Sequence, residues 1–229
     1  MDFVISNKSN KEYFKFWQNA LDNYESKRKT FYINQHAKMI SRYIKSGKIL
    51  DIGIGTGILA AKYMKMIKKK KIKIQLTGLD YSVKRLEIAR KKYGIKKLIQ
   101  GNAEKLPFKN NTFDQIICYA TLPYIQNKKA FFKECKRVLK RDGELLLNFS
   151  NQLYYDLSSR LGPILNLTPK DVLKRLFYLN EVIPYFKKAG FTSISWEGYN
   201  VCPLNMLNFL DNTFLKRIGW EFLVIGKKQ

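Results

Sequence analysis

The sequence predicts an α/β fold with a seven-stranded, mostly parallel sheet, helices on both faces and a late antiparallel strand. Its length of 229 residues, with 45% hydrophobic content, is enough for one sizeable core. From Lys48 onward, short apolar runs alternate with segments of helical periodicity, which is typical of a parallel sheet covered on both faces. A glycine-rich turn follows the first apolar run directly, as expected between a strand and a helix.

The predicted strands are short, and two of them come late in the chain. They span Lys48–Asp51, Ile72–Leu79, Lys97–Gln100, Phe113–Tyr119, Glu144–Phe149, Thr192–Tyr199 and Ile218–Ile225. Arg141–Gly143 is predicted to be the turn into the fifth strand.

Apolar residues at helical spacing predict the helices, which span Tyr13–Tyr24, Phe31–Ile44, Ile58–Ile67, Val83–Tyr93, the stretch from the cap Asn127 through Leu139, and Glu181–Ala189. Ser82 and Asn127 are predicted caps, because their side chains can accept from the first free backbone N–H groups. Gly94 is expected to end the helix before it, and Pro184 to interrupt the last helix.

Two divisions of the chain are predicted. Residues 1–46 form a helical lead-in or lid, and residues 47–229 form the main domain. Residues 150–180 break the alternation of strands and helices and contain Gly162, Pro163 and Pro169. This segment follows the carboxyl end of a strand, where open α/β sheets bind ligands, so we interpret it as an inserted substrate-side segment.

The charge of the chain has two interpretations. A formal net charge of +25 and a pI near 9.9 are typical of a protein that binds nucleic acid or an anionic membrane. The alternative is a surface that is rich in lysine everywhere. Arginine reads phosphate better than lysine does, and lysine dominates here. The basic residues are also spread from Lys8 to Lys228. Both observations favour a protein without a nucleic-acid partner.

The cysteines and the absence of long apolar runs predict a cytoplasmic protein. Cys118, Cys135 and Cys202 lie far apart and offer no C-x-x-C spacing for a metal or a redox pair, so no metal is predicted. No apolar run reaches about 18 residues, the length that a transmembrane helix needs. The N-terminus lacks the apolar core of a signal peptide.

The glycine-rich turn is the first motif that points to a ligand. Asp51 ends the first predicted strand, and Gly53, Gly55 and Gly57 follow at alternate positions. Glycines at such a turn allow a tight reversal and let a ligand lie directly on the backbone. A dinucleotide fingerprint would require its third glycine at position 58, which is Ile58 here. The spacing therefore argues against a dinucleotide.

Asp80 is the second motif. It ends the second predicted strand, about 20 residues beyond the glycines, where a carboxylate can accept hydrogen bonds from both hydroxyls of a ribose. The alternative role is helix capping, because acidic residues favour the start of a helix. The combination of alternating glycines with an acid at this distance favours the ribose.

A third motif completes a resemblance to a known family. Gly101–Phe108 has the sequence Gly-Asn-Ala-Glu-Lys-Leu-Pro-Phe, a Phe-Asp strand follows, and Arg137–Gly143 reads Arg-Val-Leu-Lys-Arg-Asp-Gly. With the first two motifs, these segments resemble the class I S-adenosylmethionine (SAM) dependent methyltransferases, in particular the type-11 domain of many small-molecule enzymes. The resemblance covers roughly residues 48–149. It implies a Rossmann-like sheet, SAM as cofactor and S-adenosyl-L-homocysteine as product.

The resemblance also implies cofactor-binding residues, which are Asp51, Gly53, Gly55, Gly57, Asp80, Tyr81, Asn102, Ala103, Cys118 and Tyr119. The first aspartate would orient the methionine amino group through water, the glycine backbone would lie against the cofactor, and the second aspartate would bind the ribose. Tyr81 would pack on the adenine, and the next two residues would meet its edge. The last two residues would approach the methionine portion.

One position departs from the family pattern. Asn102 stands where the family usually has an aspartate. The asparagine carbonyl oxygen can still accept from the adenine amino group, but a neutral acceptor makes a weaker hydrogen bond than a charged one. A modest loss of cofactor affinity is therefore expected, without a loss of function.

Tyr124 and His36 are the candidates for a general base. Tyr124 follows the fourth strand, near the place where many relatives have a histidine. His36 is the only histidine of the chain, and the alternative for a lone histidine on a helix is a structural role. In the lead-in, Tyr24 resembles an aromatic residue that closes over the cofactor, and packing is its alternative role.

These observations favour an enzyme that transfers the methyl group of SAM to an oxygen or nitrogen of a small-molecule acceptor by in-line displacement. An RNA methyltransferase is the alternative that the net charge motivates. A SAM-binding module without catalysis is a third hypothesis, motivated by Asn102 and by the absence of a histidine near Tyr124.

Overall fold

A seven-stranded sheet in the order β3-β2-β1-β4-β5-β7-β6 forms the centre of the molecule in the computed structural model. The structure describes residues 30–153, 176–199 and 221–229. The strands are β1 (Gly47–Ile52), β2 (Ile74–Asp80), β3 (Leu98–Gln100), β4 (Phe113–Cys118), β5 (Leu139–Ser150), β6 (Thr192–Tyr199) and β7 (Glu221–Lys227). The helices are α1 (Thr30–Tyr43), α2 (Ile58–Lys69), α3 (Val83–Tyr93), α4 (Lys128–Val138) and α5 (Leu179–Lys188), with a 3₁₀ turn at Leu122–Tyr124.

The direction of the strands confirms the predicted fold class. Strands β1 to β5 pair in parallel, and β7 pairs antiparallel with both β5 and β6. The strand order runs from β1 outward to β3 on one side and from β4 outward on the other. The order thus reverses between β1 and β4, which is the place where open α/β sheets form a ligand crevice.

Two apolar cores cover the two faces of the sheet, because successive strand residues point to opposite sides. Ile117 of β4 and Leu146 of β5 face the core built with α1, α2 and α3. Ile116 and Leu147 face the other core, which contains Phe131 and other apolar residues of α4 and α5. Burial on both faces explains why these strands appear in the sequence as continuous apolar runs.

The predicted helix boundaries hold best where a local cap fixes them. The Ser82 side chain accepts from Arg85 N, and Gly94 ends α3 with a positive φ of 66°. The Asn127 side chain accepts from Ala130 N at 3.0 Å and starts α4. These contacts confirm both predicted caps and the predicted helix end.

Strand β5 begins earlier than predicted, so the expected turn at Arg141–Gly143 lies inside the strand. Asp142 has a φ of 63°, and the register between β4 and β5 shifts in this region. Lys228 explains the continuity: its carbonyl accepts from Asp142 N at 2.8 Å, and its N–H donates to Gly143 O at 2.8 Å. Because Lys228, which is distant in sequence, pairs with this backbone, the residues predicted to form a turn form an irregular part of the strand instead.

Helix α5 also differs from its prediction, because it continues through Pro184. Proline removes one backbone hydrogen bond from a helix interior. Burial of Val182 and Phe186, on either side of the proline, stabilises the helix against that loss. The prediction that Pro184 interrupts the helix is wrong.

Several predictions lie outside the described residues. These are the helix over Tyr13–Tyr24 with its candidate Tyr24, most of the segment 150–180, Cys202, and the first residues of the strand predicted from Ile218. The division into a lead-in and a main domain stays a prediction. In the described part, the α1 residues Ala37 and Ile40 pack in the same core as Tyr63 of α2.

Candidate active site

A cavity lies at the carboxyl edge of the sheet, beside the point where the strand order reverses. The residues around it follow the ends of β1, β2, β3 and β4, so four separate segments of the chain meet there. Most of the predicted site residues line the cavity: Asp51, Gly53, Gly55, Asp80, Tyr81, Asn102, Ala103, Tyr119 and Tyr124.

The glycine turn lies directly against the neighbouring backbone. Gly53 N donates to Leu79 O at 2.7 Å, and a Cβ atom at Gly53 would come within 2.0 Å of Thr121 Oγ1. Gly55 has a φ of 57°, and a Cβ atom there would meet nothing closer than 3.9 Å. The first glycine is therefore required by close packing, whereas the second exposes bare backbone to the cavity.

Asp80 holds the glycine turn in place. Its Oδ2 accepts from Gly55 N at 2.8 Å, and its Oδ1 accepts from Ser82 N at 2.9 Å. Burial raises the pKa of this carboxyl group above its ordinary value, although the backbone donors and the nearby Arg85 lower it. The sequence motif thus places an acid at the edge of the cavity and also ties β2 to the turn after β1.

Asp51 is a buried carboxyl group with a strongly shifted pKa. Tyr63 of α2 donates its hydroxyl to Asp51 Oδ2 at 2.8 Å. Burial raises the pKa of Asp51 to about 7, the Tyr63 hydrogen bond opposes the shift, and the charge of Asp80 adds to it. Two buried acids therefore face one cavity, a site at which a cationic ligand would be stabilised.

The loop after β3 is shaped by its own hydrogen bonds. Asn102 Oδ1 accepts from Glu104 N at 2.8 Å, so this side chain supports the turn that carries it. Further along the loop, the Arg137 guanidinium donates to Phe108 O at 2.7 Å and to Leu106 O at 3.0 Å. Arg137, near the end of α4, therefore holds the loop that carries the third sequence motif.

The residues after β4 form a further part of the cavity wall. Tyr119 is buried, Ala120 has a φ of 50°, and Thr121 Oγ1 donates to Tyr119 O at 2.9 Å. Tyr124 belongs to the short 3₁₀ turn and lines the cavity as well. A positive φ is uncommon for alanine, so this turn is held by its surroundings.

Among the described residues predicted for the site, Gly57, Cys118 and His36 do not line the cavity. A Cβ atom at Gly57 would lie 2.6 Å from Ile95 Cδ1, so this glycine allows close packing between α2 and the segment after α3. Cys118 points into the core on the α4 side, because strand residues alternate between faces, and burial raises the pKa of its thiol. His36 is buried behind Tyr119 and contacts its hydroxyl.

Sequence reasoning missed residues whose partners are distant along the chain. Tyr63 contacts Asp51 from the middle of α2, Arg85 lines the cavity from α3, and Glu221 of β7 contacts His36. Tyr63 belongs to the apolar stripe of its helix, and nothing in the local sequence distinguishes it from a packing residue. Arg85 has a local signal, because it lies in the first turn of α3, five residues after Asp80.

Comparison with known proteins identifies the family. Residues 50–147 match the model of a methyltransferase domain. The chain is 32% identical over 169 residues to a demethylmenaquinone methyltransferase of Thermotoga maritima, covering 71% of this chain and 63% of that enzyme. It is 30% identical over 154 residues to a chloroplastic 2-methyl-6-phytyl-1,4-hydroquinone methyltransferase of Oryza sativa, covering 66% and 41%. The chain belongs to the class I SAM-dependent methyltransferases, which confirms the predicted enzyme class and cofactor.

A solved structure supports the fold independently. A SAM-dependent methyltransferase of Thermotoga maritima, described as a possible histamine N-methyltransferase, gives a TM-score of 0.68 at 21% identity. The match covers 94% of this chain and 100% of that chain. At this identity the likeness concerns the fold. The aligned region spans less than two thirds of the two sequence relatives named above.

Two kinds of feature are absent from the described residues. None of the helices in residues 30–153, 176–199 and 221–229 has both the length and the apolar character that crossing a bilayer requires. The same residues contain no group of histidine, cysteine, aspartate and glutamate side chains arranged to hold a metal ion.

Proposed function

We propose that this chain transfers the methyl group of SAM to a small-molecule acceptor and that the cavity at the carboxyl edge holds the cofactor. One arrangement carries the proposal: the glycine turn lies between two buried acids, Asp51 and Asp80, and all three face the same cavity. Gly55 supports the fit, because its side of the cavity is bare backbone that a Cβ atom would otherwise occupy.

The proposed roles follow from the charge and hydrogen-bonding capacity of each group. Asp51 would face the methionine amino group, because an ionised carboxyl there stabilises a nearby ammonium group. Asp80 would bind the ribose: each of its oxygens accepts one backbone N–H and has a further lone pair for a hydroxyl. Tyr81, which is 51% exposed, would pack on the adenine, and Asn102 and Ala103 would meet the adenine edge.

The protein contributes mainly orientation. SAM supplies a methyl group that the sulfonium already activates, so the residues around it must hold an acceptor in line and exclude water. Orientation of this kind lowers a barrier by roughly 7–11 kcal/mol. We expect the acceptor beside Tyr119, Thr121 and Tyr124, which line the cavity after the end of β4.

The relatives suggest which acceptors to try first. Two of them are named for a quinone and for a 1,4-hydroquinone, and a structural neighbour is named for histamine. We predict transfer to oxygen or nitrogen. A hydroquinone also has nucleophilic ring carbons beside its hydroxyl groups, so the position of the new methyl group must be determined by mass spectrometry.

Asp80→Ala tests the cofactor site. Loss of the carboxylate removes the ribose acceptor and releases the N–H groups of Gly55 and Ser82, so SAM affinity should fall about tenfold or more. Isothermal titration calorimetry with SAM measures it. Asp142→Ala is the matched control, because Asp142 pairs with Lys227 away from the cavity. Unchanged affinity in Asp80→Ala would show that the ribose lies elsewhere.

Transfer itself is tested with methyl-labelled SAM and three acceptors: methylhydroquinone, catechol and histamine. A labelled small-molecule product supports the proposal. A protein that binds SAM yet labels none of these acceptors, nor any small molecule of a cell extract, supports the binding module without catalysis.

A further inference from the structure

A cluster of buried polar side chains adjoins the cavity at the carboxyl edge of the sheet. Its members are His36, Tyr119, Asn148, Tyr199 and Glu221, and each is at most 9% exposed. They come from α1, from the end of β4, from β5, from β6 and from β7. Burying polar groups is costly unless they bind one another, so five elements converging on one polar cluster require an explanation.

Three members of the cluster form a chain of contacts that begins at the cavity. The Tyr119 hydroxyl lies 2.5 Å from His36 Nδ1, and His36 Nε2 lies 2.6 Å from Glu221 Oε2. An ionised carboxylate has no proton to donate, so we assign the imidazole proton to Nε2, the nitrogen that faces Glu221. His36 Nδ1 is then an acceptor, and the Tyr119 hydroxyl donates to it.

Tyr119 is the member that the cavity and the cluster share. It lines the cavity, and its carbonyl accepts from Thr121 Oγ1 in the turn that follows it. Ala120 N donates to Asn148 Oδ1 at 3.2 Å, and Asn148 Nδ2 contacts the Tyr199 hydroxyl and donates to Phe222 O at 3.2 Å. The rest of the cluster therefore holds Tyr119 at the edge of the cavity with its hydroxyl against His36.

We propose that Tyr119, His36 and Glu221 are a proton relay that receives the proton of the methyl-accepting hydroxyl group. This proposal rests on the proposed function, and it narrows the acceptor to a small molecule with an ionisable hydroxyl, such as a phenol or a hydroquinone. A neutral amine attacks without first losing a proton, whereas a phenol at neutral pH must lose one as it reacts. Phenols ionise near pH 10, so a base is needed.

The step balances as follows. The acceptor oxygen passes its proton to the Tyr119 oxygen as the Tyr119 proton moves to His36 Nδ1. The oxygen lone pair forms the new bond to the methyl carbon, and the electron pair of the broken carbon–sulfur bond stays on sulfur. The products are the methyl ether, S-adenosyl-L-homocysteine and an imidazolium that later releases its proton to solvent.

The three residues have different roles in this step. Tyr119 is the catalytic residue, because it is the member at the cavity. His36 holds the proton. Glu221 is a positioning residue: it keeps the imidazole proton on Nε2 and stabilises the imidazolium that forms, in the same way as the carboxylate of a catalytic triad.

A second contact between α1 and the sheet provides matched controls. Glu197 of β6 contacts the Tyr43 hydroxyl and accepts from Arg42 at 3.2 Å. The contact between Tyr43 and Glu197 resembles the relay in chemistry. It also involves a tyrosine and a glutamate, and it also links α1 to the sheet. Neither Glu197 nor Tyr43 lines the cavity among the described residues.

Nuclear magnetic resonance tests the hydrogen-bond arrangement without any acceptor. His36 is the only histidine in the chain, so the imidazole signals of the ¹⁵N-labelled full-length protein with S-adenosyl-L-homocysteine need no assignment. We expect a protonated Nε2 and an unprotonated Nδ1. Glu221→Gln should redistribute the proton between the two nitrogens, and Tyr119→Phe should shift the Nδ1 signal. Glu197→Gln should change neither, and a protonated Nδ1 in the wild-type protein would overturn the relay.

Steady-state kinetics with SAM and methylhydroquinone test its use in catalysis. Tyr119→Phe and His36→Gln should lower kcat about 100-fold or more while the KM for SAM stays unchanged. Tyr43→Phe should retain wild-type kcat. If Tyr119→Phe keeps wild-type kcat, the relay is wrong, and the proposed function stands. If the wild-type protein methylates histamine and no hydroxyl acceptor, the relay is also wrong. If SAM does not bind, both proposals fail.

Discussion

Asp51 should make cofactor binding depend on pH. Burial raises its pKa to about 7, the Tyr63 hydrogen bond lowers it, and the charge of Asp80 raises it. Below pH 7 the carboxyl group is mostly protonated, so a cationic ligand must displace a proton. Above pH 7 it is already ionised. SAM should therefore bind about tenfold more weakly at pH 6 than at pH 8, measured by calorimetry.

The control for this effect is Asp51→Asn, which cannot ionise. Its SAM affinity should be weaker than that of the wild-type protein at pH 8 and should change little between pH 6 and pH 8. Equal wild-type affinities at the two pH values would mean that the amino group of SAM does not lie against Asp51.

Asn102→Asp should maintain or increase SAM affinity. The asparagine Oδ1 accepts from Glu104 N, and an aspartate oxygen can do the same while its other oxygen receives the adenine amino group with a full charge. Asn111→Asp adds the same charge outside the cavity and serves as the control, since Asn111 contacts Lys228. A severe loss of affinity in Asn102→Asp alone would place the adenine edge elsewhere.

Local sequence predicts a residue of the site only when a motif carries it. The glycines, Asp51 and Asp80 lie within two short segments, so spacing alone was enough to single them out. The sequence does not reveal that Gly57 and Cys118 lie outside the cavity lining. Gly57 packs against Ile95, and the Cys118 side chain lies in the core on the α4 side of the sheet. His36 is a candidate because it is the only histidine of the chain. No motif in the sequence around Glu221 predicts that it contacts His36.

At the scale of elements, the glycine turn gives the sharpest prediction. Gly53→Ala and Gly94→Ala both place a side chain at a positive φ, which costs about 1–2 kcal/mol. Gly94 has no neighbour within 4 Å of the added Cβ, whereas Gly53 has Thr121 Oγ1 at 2.0 Å. Thermal unfolding and calorimetry should show a larger loss of stability, with weaker SAM binding, in Gly53→Ala. The Gly53→Ala/Thr121→Gly double variant should recover part of the lost stability, because the side chain that the new Cβ atom meets is removed. Equal losses in the two single variants would contradict the packing argument.

The sequence predicts the ends of a helix or strand correctly where neighbouring residues determine those ends. Helix α3 begins at the serine cap Ser82 and ends at Gly94, and both signals are local. Strand β6 has its predicted ends, Thr192 and Tyr199, although Ser193 has a φ of 47° and the register with β7 shifts there. Strand β5 and helix α5 differ because their ends depend on distant partners. Lys228 extends β5 past a turn sequence, and buried Val182 and Phe186 hold α5 together across Pro184.

At the scale of the whole molecule, the charge of +25 separates the small-molecule enzyme from an RNA enzyme. RNA binding releases counterions, so its affinity should fall about 10³–10⁵-fold between 50 mM and 200 mM salt for a protein with several phosphate contacts. We expect small-molecule turnover to change little over that range. A labelled product that ribonuclease degrades, formed with a steep dependence on salt, would favour the RNA methyltransferase instead.

The strand order and the buried polar contacts show where prediction from a single sequence ends. Alternating patterns establish which segments are strands, but they do not specify that β7 lies between β5 and β6. The contacts of Tyr63 with Asp51 and of Arg137 with Phe108 likewise join segments that only the folded chain brings together. What the sequence does establish is the sheet class and the edge at which a ligand binds.

The insertion of the last strand has a consequence for synthesis on the ribosome. In the described sheet, β6 pairs only with β7, and β7 is made after it. A nascent chain that ends before Glu221 therefore leaves the flanks of both β5 and β6 open, and open strands of this kind invite pairing with other chains. This part of the sheet is completed only when the β7 segment has been made, so a chaperone would protect the polypeptide most in the interval before β7 emerges.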